Sequence, residues 1–223
     1  MRTERAPVTG IDMSVRRIDE AERVAAMLVE GIVSQGIDVD RLVLGIHRVL
    51  GDDTPGSTGS HFAFSLSVGD TTEEQAWRYA RRACSSLSSV YAPSGGAADP
   101  TLVLRGRREG PAGRAAGARA AAQAQVNRSG GRAVVFRGTP HLVGPLQVHD
   151  ILERSAIEEV VDITESTPRT HDLVLVSEPV RPRWSFGRLV LYVLPAAGVP
   201  DSVYLPFAAT STPEGSGVSA RRP

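Results

Sequence analysis

Apolar residues recur along this chain with two different periods, and the switches between them divide it into elements. Ile18, Ala21, Ala25, Leu28 and Ile32 repeat at helical spacing, with Asp19, Glu20 and Glu22 near the positive end of the helix dipole. The spacing predicts a helix over 17–35 that stops at Gly36. The period then falls to two. Residues 41–50 place Leu42, Leu44 and Ile46 on one face and Val43, Gly45, His47 and Val49 on the other. Residues 61–68 place Phe62, Phe64, Leu66 and Val68 inward and His61, Ala63, Ser65 and Ser67 on an opposite, more polar face. The turn formers between them predict an antiparallel hairpin with a polar tip.

A second long helix follows, with Thr71 and Glu74 fitting a capping box. Its inward stripe is Ala76, Ala80, Ala83, Leu87 and Val90, widened by Trp77, Cys84 and Tyr91. The remaining strands are expected at 102–104, 133–136, 160–164, 173–176, 189–194 and 203–207. A short helix is expected from Gly144–Pro145 to Ser155, because proline suits a first helical position. Residues 179–187 read as the tip of a hairpin joining 173–176 to 189–194. The fold class expected is α+β: a mostly antiparallel mixed sheet of about six to eight strands with two long amphipathic helices on one face.

The domain expectation is a flexible tail over 1–13, one domain over 14–210, and a disordered tail over 211–223, where Ser, Thr, Pro and Gly dominate. Inside the domain, 105–132 stands apart as a basic Arg/Ala-rich insertion. Eight arginines lie between Arg105 and Arg137 against the single acid Glu109. Its alanine run, Ala115 to Val126, has high helix propensity but little apolar bulk. A mobile loop leading into a weakly buried surface helix is expected there.

Composition changes the picture mainly by exclusion. All 25 basic residues are arginine, balanced by 25 acids, as a high-GC bacterial genome would produce. No lysine exists to form a Schiff base, clamp a phosphate or act as a general base. Cys84 is the only cysteine, so an internal disulfide is impossible. Nothing at the amino terminus resembles a signal peptide, and the most apolar stretch, 189–199, is about half of a membrane span. A cytoplasmic location without membrane association is expected.

Candidate chemistry comes from the histidines and the arginines. The sequence has no G-x-S-x-G, H-E-x-x-H, G-x-G-x-x-G or C-x-x-C motif, and no histidine spacing fits a metal site. No metal or cofactor is therefore expected. His61, on the polar face of its strand, is the first candidate for a catalytic base. His141, in a Thr-Pro-His turn, and His149 are the others, each against the plainer alternative of a surface or hydrogen-bonded histidine.

Arginine forks suit phosphates and carboxylates. Arg107, Arg108, Arg114 and Arg119 in the basic segment, and Arg181 and Arg183 beside Trp184 and Phe186, are the candidate anion-binding residues. Residues 92–135 hold no aromatic and the net charge is zero, which argues against nucleic acid as partner.

The functional expectation is a cytoplasmic, oligomeric accessory or binding protein. Its arginine segment would dock an acidic protein or a phosphorylated small molecule. The alternative is a metal-independent enzyme of small-molecule metabolism with a histidine general base, a carrier-bound acyl group being one candidate substrate.

Overall fold

Strand β1 (Val8–Val15) lies in the middle of the amino-terminal half of the sheet, flanked by β3 (His61–Val68) and β4 (Thr101–Leu104), both antiparallel to it. The flexible tail expected over 1–13 is thus corrected from Val8 onward. Ile11 and Met13 fall on one face and Gly10 and Asp12 on the other, an alternation that two apolar residues are too few to make evident as a strand. The computed structural model describes residues 6–51, 59–90, 99–164, 167–198 and 202–207. The expected 211–223 tail and the 52–58 hairpin tip lie outside them.

The chain is a mixed α+β protein built on one large, mostly antiparallel sheet. The other strands are β2 (Leu42–Val49), β5 (Arg107–Glu109), β6 (Arg132–Val135), β7 (Gly144–Gln147), β8 (Glu159–Asp162), β9 (Leu173–Val176), β10 (Arg183–Ser185), β11 (Arg188–Pro195) and β12 (Val203–Pro206). Their order is β5-β4-β1-β3-β2-β6-β10-β11-β12-β9-β7, with β8 pairing β11 off this path. Only β8 with β11 and β9 with β12 are parallel among the described pairs. Among the described residues twelve strands replace the expected six to eight. Apart from β1, the surplus is short: β5 and β10 have three residues each and β7 has four, too few to show a period of two.

Among the described residues four α-helices cover the sheet: α1 (Ile18–Val33), α2 (Glu73–Val90), α3 (Ala115–Asn127) and α4 (Val148–Arg154). Helices α1 and α2 bury Val24, Leu28, Ile32, Trp77 and Leu87 with Ile11, Leu44, Phe64 and Leu66 in the main apolar core. A second core, in the carboxy-terminal half, gathers Phe136, Ile151, Val174, Trp184, Leu191 and Val193. The two halves meet along β2, β6 and β10, and Glu22 on α1 ties across them to Arg132 and Arg181.

Local expectations shift in three places. The cap of α2 is one residue later than predicted: Thr72 and Gln75 exchange bonds, the Thr72 N–H donating to Gln75 Oε1 over 2.9 Å and the Gln75 N–H to Thr72 Oγ1 over 3.3 Å. Pro145 sits in the edge strand β7, where its missing N–H costs nothing, and α4 starts only at Val148. The hairpin joins β10 to β11 through Phe186 and Gly187, both at positive φ, and β9 instead pairs with β7 and β12.

The largest correction concerns 105–132. This segment contains β5, a 3₁₀ turn at Ala112–Arg114, and α3, which covers the second face of the sheet. Ala115, Gly117, Ala118, Ala121 and Gln125 are buried there. Small side chains weaken a helix as a hydrophobic anchor but let it approach closely. A Cβ on Gly10 would collide with the carbonyl oxygen of Ala118, and one on Gly117 with the Asp12 carboxylate.

Candidate functional site: a polar layer and cleft beneath helix α3

The sheet face under α3 is set by register. Pairing places Asp12 beside Ala63 and Gly10 beside Ser65, while Gly45 lies opposite Ser65 and His47 opposite Ala63. These residues share one face, as period-two geometry requires, and leave Ile11, Leu44, Ile46, Phe64 and Leu66 for the apolar face. The face expected to be merely more polar is therefore a buried layer. Asp12, His47, His61, Ser65, Ser67 and Gln125 are all buried in it. Burial of polar groups on this scale is tolerated only if they bond to one another.

His61 is 3% exposed and Asp12 fully buried. His61 Nε2 lies 2.9 Å from Asp12 Oδ2, and its Nδ1 lies 2.8 Å from the Gly59 carbonyl oxygen. Against an ionised Asp12 both neighbours only accept, so both ring nitrogens donate and the ring is an imidazolium paired with a carboxylate. The bond to Asp12 raises the His61 pKa above its ordinary value, against the opposing effect of burial. The other Asp12 oxygen accepts the Ser14 N–H over 2.7 Å, holding the carboxylate at a bulge where Ser14 has φ of 54°.

His47 behaves oppositely. It is 4% exposed, stacks on Trp184 with centroids 5.8 Å apart and planes 10° off parallel, and burial pulls its pKa down to about 4. Its Nε2 lies 2.6 Å from Ser65 Oγ, while Nδ1 is buried without a partner. Ser65 Oγ donates to Gln125 Oε1 over 2.5 Å, and Gln125 Nε2 donates to Ser67 Oγ over 2.8 Å. One chain of bonds thus runs from β2 through β3 to α3 and back to β3.

The far end of that chain opens into a cleft of about 220 Å³ between the two halves of the molecule. Val8, Val43, Phe136, Trp184 and Leu189 give it apolar walls, and Ser67, Gln125 and Arg128 supply its polar groups. Arg128 caps α3 in the left-handed conformation, φ 53°, and its guanidinium bonds Glu158 at 2.9 Å and the Gly187 carbonyl oxygen at 2.9 Å. A mostly apolar cleft with a few convergent polar groups has the chemistry of a small-molecule site.

The predicted histidines do not converge. His61 is buried under α3, but His141 is exposed in the 3₁₀ turn Thr139–His141, and His149 is exposed on α4, 3.3 Å from Glu153. Neither His61 nitrogen retains a free lone pair for use as a base. The predicted arginines are likewise dispersed. Arg107 lies over the Trp77 ring, 4.5 Å from its centroid, and pairs with Glu74 at 2.6 Å. Arg114 donates to the Asp99 carbonyl oxygen over 2.8 Å, and Arg181 is held by Glu22. Arg108, Arg119 and Arg183 are exposed and make no ion pair among the described residues. Trp184 stacks on His47 rather than on a cation, and Phe186 is fully exposed.

Cys84 is buried, and its thiol pKa is pushed up to about 12, chiefly by burial. No cluster of three or more His, Cys, Asp or Glu able to hold a metal occurs among the described residues, and none of their helices is long and apolar enough to cross a membrane.

Asp12, His47, Gln125 and Arg128 escape a reading by sequence. Asp12 is the one acid within an otherwise apolar or small run, Val8 to Met13, and that isolation is the only signal the sequence carries for it. The rest depend on where α3 docks. No family model matches this chain, and no curated protein or solved structure is significantly similar to it.

Proposed function

We propose that this is a binding protein for a small amphipathic anion, held in the cleft between the two halves. Apolar carbons would pack on Val43, Trp184 and Leu189, and a carboxylate or phosphate would exchange with Glu158 on Arg128. The single observation that carries the reading is the convergence of Arg128, Gln125 and Ser67 on that apolar wall. It keeps the arginine segment as the source of the cation.

A small ligand is favoured over an acidic protein because part of the segment's own charge is neutralised within the chain and the rest is dispersed. Arg105 pairs with Glu73, Arg107 with Glu74 and Arg132 with Glu22. The enzyme alternative, with His61, His141 or His149 as base, has less support, since one is a committed imidazolium and the others stand on open surface.

Titration with hexanoate and hexyl phosphate, followed by calorimetry and by the NMR signals of Trp184, tests the reading. Saturable binding that falls about tenfold or more in Arg128→Ala is expected, the equivalent of one charge-assisted hydrogen bond. Absence of binding by both ligands, or binding indifferent to Arg128, sinks it.

A further inference from the structure

The hydrogens beneath α3 can be assigned one by one, and the assignment leaves one donor free at the cleft. Gln125 Oε1 can only accept, so its 2.5 Å contact obliges Ser65 to donate. Ser65 has a single hydroxyl proton. Across the 2.6 Å contact to His47 it must therefore accept, and His47 carries its proton on Nε2. The bare Nδ1 explains why that buried atom has no partner. At the other end, Gln125 Nε2 donates to Ser67 Oγ, whose own proton has no acceptor among the described residues. Both Ser67 and Gln125 line the cleft.

We infer that His47 is a positioning residue: through Ser65 it locks the Gln125 amide, and this makes Ser67 a hydrogen-bond donor that selects ligands presenting an acceptor oxygen. The inference rests on the cleft as binding site and names the polarity that its floor reads. The reversed chain is the competing state. With the amide turned over, Gln125 would donate to Ser65, Ser65 to His47 Nε2, and the ring proton would move to Nδ1. There it would face the backbone of Gly131, at which a Cβ has no room. A buried N–H without an acceptor is rarer than a bare acceptor. Burial also keeps the ring neutral, so a second ring proton does not blur the two states.

A nitrogen NMR spectrum of the full chain decides the tautomer without any ligand. Protonated Nε2 and bare Nδ1 on His47 at neutral pH are expected; the opposite tautomer, or an imidazolium, overturns the inference. Selectivity is then read by competing hexanoate with hexylamine. The unaltered chain should prefer hexanoate, and Ser67→Ala should weaken hexanoate about tenfold, as the loss of one hydrogen bond to a charged group implies.

His47→Phe, which keeps a ring against Trp184 but frees the amide, should narrow the hexanoate-to-hexylamine ratio by a similar factor. Gln125→Glu, whose carboxylate takes both serine protons, should do so more strongly. Hexanoate binding with a ratio unmoved by Ser67→Ala and His47→Phe would overturn the inference and leave the cleft reading intact. No binding of either ligand would sink the cleft reading and the selectivity with it.

Discussion

The two faces of the amino-terminal half of the sheet solve the same packing problem with opposite materials. Under α1 and α2 the interface is apolar, with Leu28, Ile32, Phe64, Leu66 and Trp77 interlocked and buried. Under α3 the helix offers alanine and glycine, and the sheet offers Asp12, His47, His61, Ser65 and Ser67. Apolar contacts are non-directional and tolerate small shifts. A buried hydrogen-bonded layer does not: each group needs its partner at bonding distance, and an unpaired one carries its full desolvation penalty. The first face holds the fold together; the second fixes geometry, and the cleft lies at its margin.

The sharpest way to break this comparison is to remove Asp12. Asp12→Ala leaves the His61 imidazolium buried and unpaired, and should cost about 3–5 kcal/mol in urea unfolding, as breaking buried pairs does. Asp12→Leu combined with His61→Phe should cost far less, because no orphaned charge remains. Were the single and double variants equally destabilised, the layer would be ordinary packing rather than a bonded network.

Gly117→Ala tests close approach. Its methyl would meet the Asp12 carboxylate, so a loss of about 1–3 kcal/mol is expected from overpacking, despite the better helix propensity of alanine. Ala116→Gly, on the exposed side of the same helix, should cost only the propensity difference of about 1 kcal/mol. Equal losses from both would show that α3 does not press on the sheet.

A pH series separates the two histidines. The folded-state pKa of His61 is raised above 6.5, so the stability it contributes is complete below that value and is lost as pH rises through the folded-state pKa. His47 is depressed from 6.5 to about 4, so its contribution has the opposite sign, complete above 6.5 and lost as pH falls from there through about 4. Urea midpoints across this range should therefore decline at both ends. Asp12→Asn should abolish the alkaline decline and leave the acid one.

The smallest effect belongs to the solvent-exposed arginines. Arg107→Ala, removing one exposed ion pair and one cation–π contact with Trp77, should change stability by about 1 kcal/mol or less and respond to salt. A larger loss would move this edge of the sheet from surface decoration into the structural account.

Much of the fold was legible because its elements obey local rules. The α1 and α2 stripes and the β2–β3 hairpin carry their periods over eight residues or more, and the helix and strand boundaries follow. The site was legible only in fragments. His61 stood out on the polar face of β3, yet its carboxylate came from residue 12, in a segment read as a tail. Arg107 and Arg181 were singled out for anions, but acids distant in sequence, Glu74 and Glu22, neutralise them.

What the amino-acid sequence by itself determined is the chemistry this protein must do without and the elements with long periods: no lysine, no internal disulfide, two amphipathic helices and a central hairpin. What only the tertiary structure decided is the use of the alanine-rich segment. A helix with little apolar bulk reads as a surface helix when taken alone. Its role follows from what it covers, because small side chains let backbone and polar groups approach closely enough to bond. That contact buries the Asp12–His61 pair and the His47–Ser65–Gln125–Ser67 chain of bonds in one layer. No local period along the chain records it.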